Sequence, residues 1–174
     1  GKHSVRVREL AVILGKALKL PQADIDLLAK ASLLHDIGKI AIPDSILLKK
    51  GMLTPEETAI MQTHPQIGLE MLRANPYLRD AAEIIYSHHE KYNGTGYPRG
   101  LKGEEICLGA RIFAIIDAYD AMRANRIYSP SMPADMAAAE IKRCSGSHFD
   151  PRIVDVFCQC LPEIELAWRH FWNK

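Results

Sequence analysis

Charge excess, long apolar runs and strand-like alternation are all missing from this 174-residue chain. Lys plus Arg number 22 against 21 Asp plus Glu, a net charge of +1 that gives no field to hold DNA or an anionic membrane surface. A small anionic ligand therefore needs a local basic site. The most apolar stretch, Ile106 to Met122, is broken by Arg111, Asp117 and Asp120, which excludes a bilayer span. The cysteines, Cys107, Cys144, Cys158 and Cys160, lack the paired spacing of a zinc site, and no secretory apolar region precedes them. Reduced core thiols in a cytoplasmic protein are expected.

What is present is apolar residue at helical spacing. With 48% hydrophobic residues the chain can bury a core as a single domain over 1–174. It opens into a helix-like pattern at Gly1-Lys2-His3 without an initiator methionine, which suggests a domain excised from a longer regulatory protein. Val5 to Leu20 predicts a first helix stopped at Pro21, and Ile25 to Leu34 a second that ends in His35-Asp36 and stops at Gly38. Thr54-Pro55-Glu56-Glu57 reads as a capping box with Pro at the first helical position. Pro65 disfavours helical geometry at His64, so two helices should meet there. Tyr77 to His89 predicts a helix ending in the His88-His89 pair, followed by a turn-rich excursion over 91–105 that holds Gly94, Gly96, Gly100, Gly103 and Pro98. Four further helices are expected over 108–122, 133–144, 150–160 and 163–172, the third capped by Asp150. The fold class expected is an all-α bundle.

Five of the seven histidines, His3, His35, His64, His88 and His89, fall at or beside predicted helix ends. Imidazole with carboxylate suits zinc, iron, manganese or nickel better than calcium or magnesium. Neighbours on a helix point about 100° apart, so His35 and Asp36 can serve different edges of a site, and the two oxygens of Asp36 can bridge two ions. Asp117, set among Ile115, Ile116, Ala118 and Tyr119, would be costly to bury without a cation, and either a metal or Arg111 could supply it. Each histidine taken singly is more often a hydrogen-bonded core residue than a ligand, and a satisfied polar core is the competing reading of the set.

These residues together resemble the HD-GYP family, a subgroup of the HD phosphohydrolases. The resemblance runs from His3-Ser4-Val5-Arg6-Val7 through Leu34-His35-Asp36-Ile37-Gly38-Lys39 and Ile42-Pro43-Asp44. It continues with His64, His88-His89-Glu90, Asn93-Gly94-Thr95-Gly96-Tyr97-Pro98, Ala110-Arg111-Ile112, Asp117, Asp120-Ala121, Arg126 and Gly146-Ser147-His148-Phe149-Asp150-Pro151. The resemblance implies an HD-domain helical bundle with a glycine-rich loop, and a phosphodiesterase that hydrolyses cyclic di-GMP to the linear dinucleotide or GMP through a metal-bridging hydroxide. It implies two divalent transition metals, iron or manganese, with a third in members that carry an acidic residue before the first histidine. His3, His35, Asp36 and Asp117 would hold one metal and Asp36, His64, His88 and His89 the other. Asp36 and Lys39 are the catalytic candidates, and Lys39, Tyr97, Arg111 and Arg126 the substrate-binding ones.

His148 resembles a family position but is expected to be a hydrogen-bonded structural residue, and His170, near Trp168 and Trp172, a surface or packing one. Ser129 and Pro130 stand where many members carry a further base after the arginine of Arg126. Two rival readings follow: a weakly active module that binds cyclic di-GMP, or a diguanylate-cyclase domain through the 93–103 loop, and a di-iron HD-domain oxygenase. A homodimer stays open.

Overall fold

The structure is a computed structural model, and it describes residues 2–124 and 131–172. Arg126, with Ser129 and Pro130, lies outside the described residues. Among the described residues ten α-helices follow one another: α1 Lys2–Ala17, α2 Gln22–Leu34, α3 Asp44–Leu47, α4 Pro55–Met61, α5 His64–Leu72, α6 Arg79–Ser87, α7 Leu108–Arg123, α8 Ala134–Arg143, α9 Pro151–Gln159 and α10 Leu161–Trp172. Single 3-10 turns cover Ile37–Ala41 and Gly103–Glu105. Isolated bridges join Asn93 to Lys102 and Ser145 to Phe149, and no strand forms among the described residues.

The helix starts follow the local chemistry. Thr54 accepts from the Glu57 amide at 3.2 Å while Glu57 accepts from the Thr54 amide at 2.8 Å, the reciprocal cap expected for α4. Pro65 sits in the first turn of α5, where its missing N–H costs nothing, so His64 is the first residue of that helix. The Asp150 side chain accepts from the Arg152 amide and opens α9. The four-residue α3 is too short to show a period and is an addition to the expected elements.

Two apolar clusters make the core. The larger joins α1, α7, α8, α9 and α10 around Leu10, Leu14, Phe113, Ile116, Tyr119, Phe157 and Trp168. The smaller joins α2, α5, α6 and the start of α7 around Ala31, Leu72, Ala82, Ile85 and Ala110. Several helices reach the border between the clusters as apolar stripes whose last members are polar. On α1, Leu14, Leu10 and Val7 are fully buried, and the stripe continues to Arg6 and His3 at helical spacing. Ile25, Leu28 and Ser32 lead to His35 on α2, and Ala81 and Ile85 to His88 on α6. Phe113, Ile116 and Asp120 occupy one side of α7, with Asp117 beside them. The stripes converge, and their polar ends meet. Among the described residues no helix is long and apolar enough to cross a membrane.

Candidate metal centre

Three of the histidines are fixed by a backbone carbonyl three residues earlier. His35 Nδ1 lies 2.9 Å from the Ser32 carbonyl, His64 Nδ1 2.8 Å from that of Met61, and His88 Nδ1 2.5 Å from that of Ile85. A carbonyl only accepts, so each Nδ1 carries the proton and each Nε2 presents a lone pair. His3 is held by a carboxylate instead, its Nδ1 donating to Asp120 Oδ2 at 2.7 Å. The consequence is electrostatically awkward without a cation. Nε2 of His3 and Nε2 of His35 lie 3.4 Å apart, and Nε2 of His64 and His88 also 3.4 Å apart, lone pair towards lone pair.

A cation between each pair resolves this, and the donor set fits one. His3, His35 and Asp117 form one group and His64, His88 and His89 a second, each with ligand atoms within 4.8 Å of one another. Nitrogen arms of about 2.0–2.1 Å reach both members of a pair 3.4 Å apart. Asp36 stands between the groups, with Oδ2 3.4 Å from His35 Nε2 and Oδ1 3.7 Å from His64 Nε2. Lys39 Nζ donates to Asp36 Oδ2 at 2.8 Å. Phe113 lies under the junction, its ring centroid 4.8 Å from that of His35 and 6.0 Å from that of His88.

The field differs between the two groups. Burial lowers the pKa of His64, sets His88 well below its ordinary value, and brings His89 down to about 3, so these rings are neutral, which is the ligating form. Burial also opposes charge on His35, but Asp36 and Asp117 outweigh it and the pKa is raised. Burial opposes charge on Asp36 too, and there His35 and Lys39 outweigh it, holding the carboxyl well below the usual carboxylate range. Asp117 is raised by its burial, against the pull of His35 and His3. The first group is thus the one that seeks positive charge.

The loop over 91–105 is tied to this centre by Glu90, which is 2% exposed and accepts from the Arg99 amide at 2.7 Å and the Leu101 amide at 3.0 Å. The Tyr97 amide donates to the His89 carbonyl at 3.2 Å, and its ring stacks over that of His89 at 4.9 Å. Burial, with Asp36 and Asp117 behind it, pushes the Tyr97 phenol up to about 12. A side chain at Gly96 would strike the backbone of Glu90 and Lys91 at 2.3–2.6 Å, so this close return of the loop requires glycine. The Arg99 guanidinium pairs with Glu83, donates to Ser87 Oγ at 2.5 Å, and lies 4.4 Å over the Tyr86 ring.

The structure brings His3, His35, Asp36, Lys39, His64, His88, His89, Tyr97 and Asp117 to one place. Arg111 is in neither ligand group. It donates to Asp150 Oδ2 at 2.6 Å and to the Ile106 carbonyl at 2.9 Å, so the expectation that it could neutralise Asp117 is corrected. Six residues along a helix is about 600° of turn, which sets the two on different faces. The His148 ring stacks on Phe149 at 4.1 Å, and its carbonyl, rather than its ring, accepts from Tyr92. The sequence reading missed two parts: the Glu90 brace, and the buried set Arg6, Asp120 and Trp168 behind His3.

Residues 1–153 match the family described as HD domain. A cyclic di-GMP phosphodiesterase of Vibrio cholerae is 43% identical over 98% of this chain and 38% of its own length. One from Thermotoga maritima is 42% identical over 97% and 46%. A 3'3'-cGAMP-specific phosphodiesterase of Vibrio cholerae is 39% identical over 91% and 31%. The chain spans less than half the length of these curated relatives. Among solved structures, an HDG"Y"P protein from Bdellovibrio bacteriovorus superposes with a TM-score of 0.73 at 24% identity, over 92% of this chain and 51% of that one. A cyclic GMP-AMP phosphodiesterase of Vibrio cholerae gives 0.72 at 22%, over 96% and 47%. Those two likenesses establish the fold. The chain belongs to the HD domain family. Within it, the ordered motifs and the curated relatives place it in the HD-GYP branch.

Proposed function

We propose that this domain is a metal-dependent phosphodiesterase that opens cyclic di-GMP to the linear dinucleotide or on to GMP. The observation that carries the reading is the pair of facing Nε2 contacts at 3.4 Å, one on either side of Asp36, in a fold shared with cyclic-dinucleotide phosphodiesterases. His3, His35 and Asp117 would hold one divalent ion and His64, His88 and His89 a second, with Asp36, which stands between the groups, available to both. Iron or manganese suits imidazole and carboxylate donors. When bound, two such ions supply Lewis acidity and acidify water at neutral pH.

The chain's own residues do the rest. Asp36, ionised, is fixed between the two ligand groups by Lys39 and His35. Lys39, partly exposed beside Asp36, offers a compact positive charge to a non-bridging phosphate oxygen. The Tyr97 phenol stays protonated at neutral pH and presents a donor and an aromatic face to a nucleoside. Glu90 keeps that ring over His89 by bonding the loop on the far side of Tyr97. The relatives at 43% and 42% identity, named for cyclic di-GMP, support it as the first substrate to try over 3'3'-cGAMP, named in a relative at 39%.

The test is chromatography of products from cyclic di-GMP and, in parallel, 3'3'-cGAMP, with protein reconstituted anaerobically with Fe(II) or Mn(II) and Asp36→Ala as control. Linear product that requires the metal and is lost in the control supports the reading. Full metal loading with neither dinucleotide cleaved overturns it.

A further inference from the structure

Asp120 is among the most buried charged groups in the chain, at 0% exposure, one turn beyond Asp117 on α7. Its carboxylate is saturated. Oδ1 accepts from Arg6 Nε and, at 3.0 Å, from Trp168 Nε1, while Oδ2 accepts from Arg6 Nη2 at 2.7 Å and from His3 Nδ1 at 2.7 Å. Four donors fill the lone-pair sites of a carboxylate, so Asp120 has no capacity left to ligate an ion itself. Its hydrogen-bonded link to the centre is His3.

The histidines are not held alike. His35, His64 and His88 each bond a carbonyl three residues back, that of α2, of the end of α4 and of α6 respectively, so their orientation is set by neighbouring backbone. His3 takes its orientation from a side chain 117 residues away. That side chain is in turn set by α1, through the two-armed Arg6, and by α10, through Trp168. The Arg123 guanidinium lies 4.2 Å over the Trp168 ring and donates to Glu165 Oε1 at 2.6 Å, which ties α7 to α10 a second time. Arg123 also donates to the Met132 carbonyl at 2.8 Å.

Resting on the reading of His3 as a ligand, we propose that Asp120 is a positioning residue for His3, and that the packing of α10 on α1 and α7 sets the metal affinity of the His3, His35 and Asp117 group alone. Asp120 fixes the tautomer and ring angle of His3 as a carboxylate partner of a ligating imidazole does. Trp168 fixes Asp120. In the second group His64 and His88 are anchored by carbonyls of α4 and α6, and neither bonds the set behind His3. A partner or flanking segment that shifts α10 would therefore load or unload one ion and leave the other.

The experiment is calorimetric titration of the chelator-stripped chain with Mn(II), read as the number and affinity of binding events, with circular dichroism for fold. His3→Ala and His64→Ala assign the two events. Asp120→Asn is expected to weaken the His3 event about 10- to 100-fold and leave the other in place. Trp168→Phe, which keeps an aromatic ring but removes the N–H donor, is expected to weaken the same event by less; it decides the matter should Asp120→Asn not fold. Equal weakening of both events, or no change in either with the fold intact, overturns the inference while the metal reading stands. A wild-type chain that takes up no Mn(II) overturns both.

Discussion

Replacing Gly38 by alanine is expected to damage stability and the metal centre together. A Cβ at Gly38 would lie 2.0 Å from the His64 carbonyl oxygen and 2.8 Å from the Gly68 nitrogen, because the turn over Ile37–Ala41 packs directly on the backbone of α5. Neither contact can be relieved by rotating a side chain. Overpacking costs about 1–3 kcal/mol, and a clash with backbone belongs at the upper end, about 3 kcal/mol. For a chain of this size each kcal/mol moves the midpoint by roughly 2–4 °C, so a drop of roughly 6–12 °C is expected. Relief requires the turn and α5 to separate, which lengthens the 3.7 Å approach of Asp36 Oδ1 to His64 Nε2. Mn(II) binding should weaken with the melting temperature. Gly68→Ala is the control: its Cβ meets Ile85 Cγ2 at 3.0 Å, a side-chain atom, and the helix-propensity gain of about 1 kcal/mol offsets that contact. Thermal melts followed by circular dichroism, with and without Mn(II), measure both variants. A Gly38→Ala protein that melts like wild type and binds Mn(II) as tightly would refute the reasoning.

Other perturbations separate the loop, the core and the charges. Glu90→Ala leaves two loop amides, of Arg99 and Leu101, without their buried acceptor at about 1–3 kcal/mol each, so limited proteolysis should cut within 91–105 before the helices; unchanged cleavage would show that the loop stands without Glu90. Arg111→Ala strips the buried Asp150 carboxylate of one guanidinium, an expected loss of about 3 kcal/mol in urea melts with Mn(II) stoichiometry unchanged; a lost ion with normal stability would return Arg111 to the site. Burial opposes charge on Asp150 and Asp120, but Arg152 with Arg111 and Arg6 with His3 outweigh it and lower both carboxyls. Their folded values lie below the unfolded one, so this stabilisation is complete above the unfolded pKa of about 3.9 and is lost as pH falls through the folded values. The buried neutral rings of His64, His88 and His89 lose stability earlier, as pH falls through the unfolded histidine value of about 6.5, so the metal-free melting temperature should decline from about pH 6.5 and drop further below about 4; a chain equally stable at about pH 7 and about pH 3 would contradict it.

The parts of this architecture legible in the sequence are those written in neighbouring residues. Thr54 and Glu57, three apart, cap α4, Pro65 marks a start at His64, and the apolar period of α1 and α2 shows which face is buried. The helix-end placement of His35 and His88 follows from the same period. What sequence spacing could not show is contact across the chain. Arg6 and Trp168 lie 114 and 48 residues from Asp120, and nothing local marks them as partners. Glu90 stood in view beside His88 and His89, yet its role depends on a loop that returns nine and eleven residues later. Arg111 and Asp117 lie on one apolar helix, and only the angle between them, six residues or about 600° of turn, separates their partners. A buried Asp at i+3 from a candidate ligand Asp, with Arg6 at i+3 from His3, is the pattern that could have shown the orienting set.

The central claim is two ions in two ligand groups joined by Asp36, and anomalous diffraction from crystals of the Mn(II)-loaded protein tests it most directly. Two peaks are expected, one against His3, His35 and Asp117 and one against His64, His88 and His89, with an Asp36 oxygen turned to each. A single peak, or Mn(II) bound away from these residues, would contradict it.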